Sequence, residues 1–292
     1  MQSFRASFAG QGGATGALRA SGREEGSAAP PAILALLLTI LVLATIYIFA
    51  ARLFLPPAAI TSIGLQVDHQ YLLTLCATGA VFVFAQLALA FTVFRFRDHG
   101  QPVRFSRGNI AMEVVWTAAT MAVFLGLGMS GRKAWAETRF AAPAADVVQV
   151  EVTENQFDYS FRYPGADGKF GRLVPEMISP ATGNPLGLDE NDPGGKDDIV
   201  TASLTVPVNR PVELLIRAQD VIHNFFVREL RLQQDAVPGM IVPLNFTATT
   251  IGRYEIVCTQ LCGMEHHRMH SYLNVVSDAD YRVFLARQAA PQ

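Results

Sequence analysis

Residues 252–276 read GRYEIVCTQLCGMEHHRMHSYLNVV, and the rest of the chain can be arranged around this stretch. Its two ends, 252–258 and 271–276, alternate apolar and polar residues as β-strands do. The residues between them directly follow one strand and precede the next, so we interpret them as a hairpin-like loop. Within that loop, Cys258 to Met269 follow the spacing C-x3-C-x3-H-x2-M.

The loop carries the donor atoms that soft metals prefer. Thiolates, an imidazole and a thioether suit copper, and an ordinary blue-copper site uses one Cys, two His and a weak Met. Two cysteines, Cys258 and Cys262, are instead what a two-copper centre requires, with both sulfurs bridging both metals. Each metal then needs an imidazole; His266 supplies one, and His223 is the best candidate for the other. The alternative is a disulfide, which leaves His266 and Met269 unexplained.

Further strand-like runs lie upstream of this loop and are separated by turn residues. They cover residues 147–153, 157–163, 199–206, 211–218, 223–227 and 242–249. Residues 164–198 are rich in Gly, Pro, Asp and Asn and are typical of a long surface loop. The one helical stretch after the strands is 278–288. We therefore predict a β-sandwich or barrel over residues 146–280, followed by a tail at 281–292.

The N-terminal half is of a different character. The chain is 50% hydrophobic and only 16% charged, because three apolar segments lie at 31–55, 71–94 and 110–129. Each is long enough to cross a bilayer, which needs about 20 apolar residues. We predict a membrane hairpin over 71–129 and an additional helix at 31–55; the alternative for the latter is a signal peptide. Residues 1–30 are rich in Gly, Ala and Ser, and we expect them to be disordered.

Charge gives the orientation. Residues 1–145 carry 11 Lys/Arg and 6 Asp/Glu, whereas residues 146–292 carry 12 and 19, so the halves have net charges of +5 and −7. The loop 95–109 holds four arginines against Asp98, which places it in the cytoplasm. Everything after residue 129 is then exported. This composition excludes a nucleic-acid-binding arm, and three cysteines are too few for a disulfide-built scaffold.

The sequence resembles subunit II of the haem-copper cytochrome c oxidases. The D-V-x-H pattern of that family is matched at 220–223, its Q-x-D-A-x-P-G pattern at 233–239 and its copper loop at 258–269. The family's E-x-x-W-T pattern, at the start of a membrane helix, is matched at 113–117. The resemblance implies an α+β membrane protein, with two or three helices and an exported cupredoxin-like domain.

The resemblance also implies the binuclear copper centre called CuA. Cys258 and Cys262 would bridge the two ions, His223 and Met269 would complete one, and His266 with the main-chain carbonyl of Gln260 would complete the other. Such a subunit relays electrons and does not itself reduce oxygen. Its implied partners are the haem-containing subunit I, subunit III, cytochrome c as donor, and the lipid of a bacterial inner membrane with the copper domain on the periplasmic side; no nucleic acid is implied.

The resemblance has further implications at Gln260, at residues 156–159 and at Glu113. Gln260 replaces an acidic residue whose side chain binds magnesium in the family, and a neutral amide is a poorer ligand for a hard cation, so we predict no magnesium ligand there. The family's Q-W-x-W motif is represented by residues 156–159, so Phe157 and Tyr159 become the candidates for electron uptake, and the donor can differ. The resemblance implies that Glu113 lies at the cytoplasmic mouth of the family's proton pathway; the alternative is a carboxylate at the start of a helix, where the helix dipole favours it.

Two alternatives to an oxygen-reducing oxidase stay open at the level of sequence. One is the CuA subunit of a nitric oxide reductase from the same superfamily. The other is a copper-poor structural subunit of a quinol oxidase, although the complete ligand set of the loop argues against it.

Overall fold

Three long apolar helices precede the β-domain. The computed structural model of the chain describes residues 29–53, 55–97, 108–140, 146–189 and 191–289. The helices are α1 (Ala29–Ala50), α2 (Ser62–Arg95) and α3 (Ile110–Phe140). All of α1 and α2, and α3 from Ile110 to Arg132, are long and apolar enough to cross a membrane. Because the chain buries almost none of their side chains, their apolar surface is left for lipid or for partner helices.

Helix α2 differs from the prediction at its start. It begins at Ser62 rather than near residue 71, so residues 62–70 are helical and not part of a loop. Polar residues such as Asp68 and His69 interrupt the apolar pattern there, which is why hydropathy alone missed these turns. The Gln70 side chain donates to the Leu127 carbonyl (2.9 Å) and accepts from the Ser130 hydroxyl (2.5 Å), which joins this end of α2 to α3.

The β-domain consists of two five-stranded sheets, ordered β3-β2-β1-β5-β8 and β4-β10-β9-β6-β7. The predicted fold class, apolar helices followed by a β-sandwich, is thereby confirmed. The core between the strands is formed by fully buried apolar side chains such as Val152, Phe161, Leu214, Phe225 and Leu273. The strands are β1 (Val148–Asn155), β2 (Asp158–Tyr163), β3 (Ile199–Thr201), β4 (Leu204–Pro207), β5 (Pro211–Ala218), β6 (His223–Val227), β7 (Leu232–Ala236), β8 (Val242–Thr247), β9 (Gly252–Val257) and β10 (His270–Val276).

Two strand predictions are corrected. The run 199–206 is not one strand, because the chain passes from one sheet to the other at residues 202–203 and forms β3 and β4. Strand β7 was not predicted, since its sequence LQQDA has polar residues at its three central positions. Such a composition is common at a sheet edge, and β7 is the edge strand beside β6.

The chain is tied to the β-domain where α2 begins. Ile60 donates its backbone N–H to the Glu229 carbonyl (2.9 Å), and its own carbonyl accepts from the Thr249 N–H (2.7 Å). Arg231 donates from Nε and Nη2 to the two carboxylate oxygens of Asp68 on α2, at 2.6 and 3.0 Å. At the other end of the domain, helix α4 (Asp278–Gln288) forms as predicted and is capped by the Ser277 hydroxyl.

The predicted disordered tail, residues 1–30, falls almost entirely outside the described residues, as do the central residues 98–107 of the arginine-rich loop.

Candidate metal centre

The loop with the predicted ligands is closed at its base by an antiparallel strand pair. Strands β9 and β10 are in register from Gly252↔Val275 to Val257↔His270, and the loop lies between them. The Cys258 N–H donates to the Met269 carbonyl (3.2 Å), so the first and last candidate ligands are held side by side. A short 3-10 turn at His266–Arg268 brings the chain back to β10.

The two loop cysteines are buried and unbonded. Their Sγ atoms lie 3.8 Å apart, far beyond the roughly 2.05 Å of a disulfide bond. Cys258 is 7% exposed and Cys262 is 4% exposed. The predicted hairpin-like loop therefore presents two free sulfurs to the interior, at a separation that leaves room for bridging and without the alternative disulfide.

The other loop donors surround this sulfur pair. His266 places Nδ1 3.6 Å from the Cys262 Sγ, and the Met269 Sδ lies 3.9 Å from the same atom. The Gln260 carbonyl oxygen lies 3.1 Å from the Cys258 Sγ, whereas the Gln260 residue is otherwise exposed. Spacing in the sequence thus translates into donor atoms gathered at one place.

His223 enters the centre from outside the loop, at the first residue of β6. It is fully buried, and its ligand atom lies within 4.8 Å of those of Cys258 and Cys262. Its Nε2 lies 2.7 Å from Asp220 Oδ1. Its Nδ1 is buried and has no hydrogen-bond partner among the described residues. A buried ring nitrogen without a partner costs free energy, and a metal ion is a partner that this position fits.

Asp220 fixes the imidazole. Its second oxygen, Oδ2, accepts from the Gln156 N–H (2.8 Å). Burial alone would raise the pKa of Asp220, but hydrogen bonds from His223 and from backbone N–H groups outweigh burial and lower it. The carboxylate is therefore ionised and accepts the Nε2–H of His223, which leaves Nδ1 as the nitrogen with a free lone pair.

The two cysteine sulfurs would also be stabilised in their ionised form by a nearby cation. Burial, and next the neighbouring Cys258, raise the pKa of the Cys262 thiol to about 12. Two thiolates at this separation are unfavourable without a compensating positive charge. The residues present therefore fit a soft, positively charged metal centre, which would bind the sulfurs in their ionised form.

Of the two aromatic candidates, Phe157 lies against the loop. A Cβ atom added to Gly263 would lie 3.0 Å from the Phe157 ring and 2.8 Å from Gln156 Nε2, so both side chains pack directly on the loop backbone. Gln156 Nε2 also donates to the Cys262 carbonyl (2.6 Å). Phe157 is half-buried, whereas Tyr159 is only 3% exposed and donates its hydroxyl to the Asn224 carbonyl (2.9 Å).

The remaining sequence candidates are placed as follows. His267 and His270, the two histidines that follow His266, are exposed. Glu113 lies exposed in the first turn of α3, which the Asn109 side chain caps through the Ala111 N–H (3.0 Å). The structure does not bring Glu113 into the metal centre.

Sequence reasoning missed two polar residues near the site. Asn224, which follows His223, is fully buried and links several strands. Glu154 is fully buried, and neither of its carboxyl oxygens has a hydrogen-bond partner among the described residues. Burial, and next the charge of Asp235, raise the pKa of Glu154 well above its usual range. A single sequence offered one signal for Glu154, a charged residue at an inward position of a strand.

Comparison with known proteins identifies the family. Residues 194–278 match the family described as cytochrome c oxidase subunit II, periplasmic domain. The alternative cytochrome c oxidase subunit 2 of Bradyrhizobium diazoefficiens is 33% identical over 225 residues, covering 76% of this chain and 80% of the relative. The chain belongs to the cytochrome c oxidase subunit II family. Its predicted resemblance to subunit II of a haem-copper oxidase is thereby confirmed.

Two further similarities were found, one to a relative and one to a solved structure. Cytochrome c oxidase subunit 2 of Cereibacter sphaeroides is 29% identical over 222 residues, covering 71% of each chain. The crystal structure of the periplasmic domain of subunit II from Bradyrhizobium japonicum is 26% identical, with a TM-score of 0.37, and covers 51% of this chain and 96% of that one. This subunit II is a membrane-anchored member of an oxidase complex.

Proposed function

We propose that this subunit II is the electron-accepting copper subunit of a haem-copper terminal oxidase. The observation that carries the proposal is the convergence of His223, Cys258 and Cys262 at one buried point, with an unpartnered Nδ1 on the histidine. Cys258 and Cys262 would bridge two copper ions, His223 and Met269 would complete one ion, and His266 with the Gln260 carbonyl would complete the other. A bound CuA centre would accept single electrons and share each between two metals.

The protein's own part is to hold the ligands still. The sulfurs and the Met269 thioether are buried, so water is kept from the centre. Asp220 holds the His223 ring in one tautomer and one orientation, which is the usual role of a carboxylate behind a metal-binding histidine. The base of the loop is fixed by the β9–β10 ladder. A rigid ligand set changes little between oxidation states, which favours rapid electron transfer.

Electrons would reach this centre from a protein donor, and cytochrome c is the donor we propose. A shallow surface cavity of about 660 Å³ beside the loop is lined by Phe157, Asp158, Glu265, Arg268 and others. Phe157 packs on the loop at Gly263 and is partly open to solvent, so it offers a contact between this surface and the loop. Tyr159, the second aromatic candidate, is buried. The −7 charge of residues 146–292 would attract a basic donor and speed encounter.

The apolar helices support an assembly with other membrane subunits. We propose that α2 and α3 dock on a haem-containing subunit I, with subunit III in the same complex, in a bacterial inner membrane. The arginine-rich residues 95–109 would lie in the cytoplasm, and the β-domain would lie on the opposite, periplasmic side. Subunit I would reduce O2 and pump protons, and Glu113 would lie at a cytoplasmic proton-uptake pathway.

The test uses the intact complex purified with this chain. We expect two copper ions per chain and oxygen uptake with reduced cytochrome c. Cys258→Ser should abolish both the bound copper pair and cytochrome c oxidation, because one bridging sulfur is lost. Cys76→Ser, which changes the cysteine exposed on α2, is the matched control and should leave both unchanged.

Normal cytochrome c oxidation in Cys258→Ser would contradict the relay function. A complex that consumes NO and not O2 would support the nitric oxide reductase instead. A wild-type chain without copper would support a structural subunit.

A further inference from the structure

The side chain of Asn224 joins the two parts of the chain that carry the metal ligands. Asn224 follows His223 on β6 and is fully buried. Its Oδ1 accepts from the Thr259 hydroxyl (2.6 Å), and its Nδ2 donates to Asp235 Oδ1 on β7 (2.6 Å). Thr259 lies between Cys258 and Gln260 in the loop. One amide therefore connects the histidine-bearing strand to the loop that bears the sulfurs.

This link lies where the sheet itself makes none. Strand β6 pairs with β9 only at Phe226↔Val257, so the first residues of β6 have left β9 before the loop begins. On its other side, β6 remains paired with β7 from His223↔Ala236 to Val227↔Leu232. The Asn224 amide spans the gap on the β9 side while β7 supports it from the opposite side.

The direction of each hydrogen bond is fixed by chemistry. A carboxylate only accepts, so Asp235 requires the NH2 group of Asn224 and turns its oxygen towards Thr259. The Thr259 hydroxyl donates to that oxygen and accepts from Gln233 Nε2 (3.0 Å). The backbone carbonyl of Asn224 also accepts from the Tyr159 hydroxyl, which adds a contact from the opposite sheet. The amide is therefore held in one orientation.

We propose that Asn224 is a positioning residue of the metal centre, which sets the Cys258–Gln260 segment relative to His223 through Thr259. The inference rests on the proposed copper function for its consequence, but not for the loop geometry itself. Among the described residues, the hydrogen bonds of the Asn224 side chain go to Asp235 and Thr259 and not to a candidate ligand atom. Its loss should loosen the loop while leaving every ligand in the chain.

The decisive variants exchange the two partners. Asn224→Asp alone faces the carboxylate of Asp235 with a second carboxylate and removes the NH2 donor. The double variant Asn224→Asp with Asp235→Asn restores both hydrogen bonds, because the new carboxylate accepts from Thr259 and from the new amide. Its net charge equals that of the wild type. Asn224→Ala is the simple deletion, and Asn274→Ala, which changes an amide on β10 that bonds to Ser203 and Thr205, is the matched control.

Two measurements on the full chain in its complex read out the effect. Asn224→Ala and Asn224→Asp should each bind copper at least about tenfold more weakly than the wild type. Replacing residues that support metal ligands commonly lowers metal affinity by this much. Their electron paramagnetic resonance spectra should show altered copper hyperfine splitting. The exchange variant should recover the wild-type affinity and spectrum, and Asn274→Ala should never have lost them.

The second measurement needs no copper. The parent for this measurement is the Cys76→Ser chain stripped of metal. A thiol reagent should modify Cys258 and Cys262 about tenfold faster in Asn224→Ala than in this parent. The reason is that the buried hydrogen bond from Thr259 to Asn224 is lost. Thr259→Val should raise the rate similarly, and the two changes together should add little to either alone.

Equal thiol reactivity and equal copper affinity in Asn224→Ala and the parent would overturn the inference while leaving the proposed function intact. Failure of the exchange variant to restore either property would also overturn it. If the wild-type chain binds no copper, the proposed function is wrong, and the thiol measurement still decides the role of Asn224.

Discussion

At the scale of single residues, the main chain and the side chain of Gln260 lie in different surroundings. Gln260 lies with its carbonyl oxygen 3.1 Å from the Cys258 Sγ, whereas its side chain lies in an exposed position. Asp220 contacts no sulfur in the hydrogen bonds described here, yet it determines which nitrogen of His223 is free. The identity of residue 260 should therefore matter less than that of residue 220.

Gln260→Ala is expected to keep the copper pair. Only the amide side chain is removed, and the main-chain carbonyl stays in place. Copper content and the visible absorption spectrum of the purified complex check this expectation, with Cys262→Ser as the variant that should lose both. Complete loss of copper from Gln260→Ala would show that the side chain, not the carbonyl, holds the metal.

Glu154→Gln is expected to change how stability depends on pH. Burial raises the pKa of Glu154 in the folded protein, so the folded state keeps a proton that the unfolded state releases above its ordinary pKa. Stability then falls as pH rises from that ordinary pKa towards the folded value. The amide carries no such proton.

The check is the melting temperature of the full chain in detergent. It is measured at several values between about pH 5 and pH 8. The wild type should lose more stability than Glu154→Gln over this interval. Parallel pH profiles for the two proteins would show that Glu154 is not a buried neutral acid.

At the scale of elements, the hydrogen bonds between Arg231 and Asp68 join α2 to the β-domain. Arg231 places two hydrogen bonds on Asp68, and its guanidinium also contacts the Pro57 carbonyl. Its side chain is only 9% exposed, whereas that of Arg228, which pairs with its neighbour Glu229, is 64% exposed. The same residue type thus serves as a buried link in one place and as a solvated charge in the other.

Arg231→Gln is expected to destabilise the chain by about 2 kcal/mol, the usual cost of losing charge-assisted hydrogen bonds. Arg228→Gln should cost less than about 0.5 kcal/mol, as exposed substitutions do. Denaturant unfolding of the detergent-solubilised chain measures both. Equal costs for the two variants would show that the Asp68 contact does not hold α2 to the domain.

At the scale of the whole molecule, the chain divides its charge between a basic N-terminal half and an acidic C-terminal half. This asymmetry agrees with the proposed topology, in which the connecting arginines would stay in the cytoplasm and the β-domain would meet a basic donor outside. Glu113 lies in the first turn of α3 and is the one acidic residue of the candidate span Ile110–Arg132. Ionisable residues at such positions are commonly functional.

Glu113→Gln is expected to slow oxygen uptake by the complex several-fold, because the carboxyl group that would take up protons is lost. Copper content should remain normal, since Glu113 does not lie in the metal centre. Glu176→Gln, which changes an exposed carboxylate of the β-domain, is the control. Oxygen uptake at the wild-type rate in Glu113→Gln would exclude the proton-uptake role.

The sequence predicted the features that follow from short-range spacing. The loop that gathers Cys258, Cys262, His266 and Met269, the apolar helices and most strands were found because clustered donor atoms, lipid and strand pleating impose regular patterns. His223 was found because so few histidines lie outside the loop. Strand β7, the crossing between β3 and β4, and the roles of Asn224 and Glu154 depend on which strands become neighbours. A single sequence does not encode that neighbourhood in any local pattern.

The most direct test of the central claim is the electron paramagnetic resonance spectrum of the oxidised, copper-loaded chain. We expect one unpaired electron shared equally by two copper nuclei, because Cys258 and Cys262 would bridge both ions. A spectrum with the electron on one copper nucleus alone, or a chain with no bound copper, would contradict it.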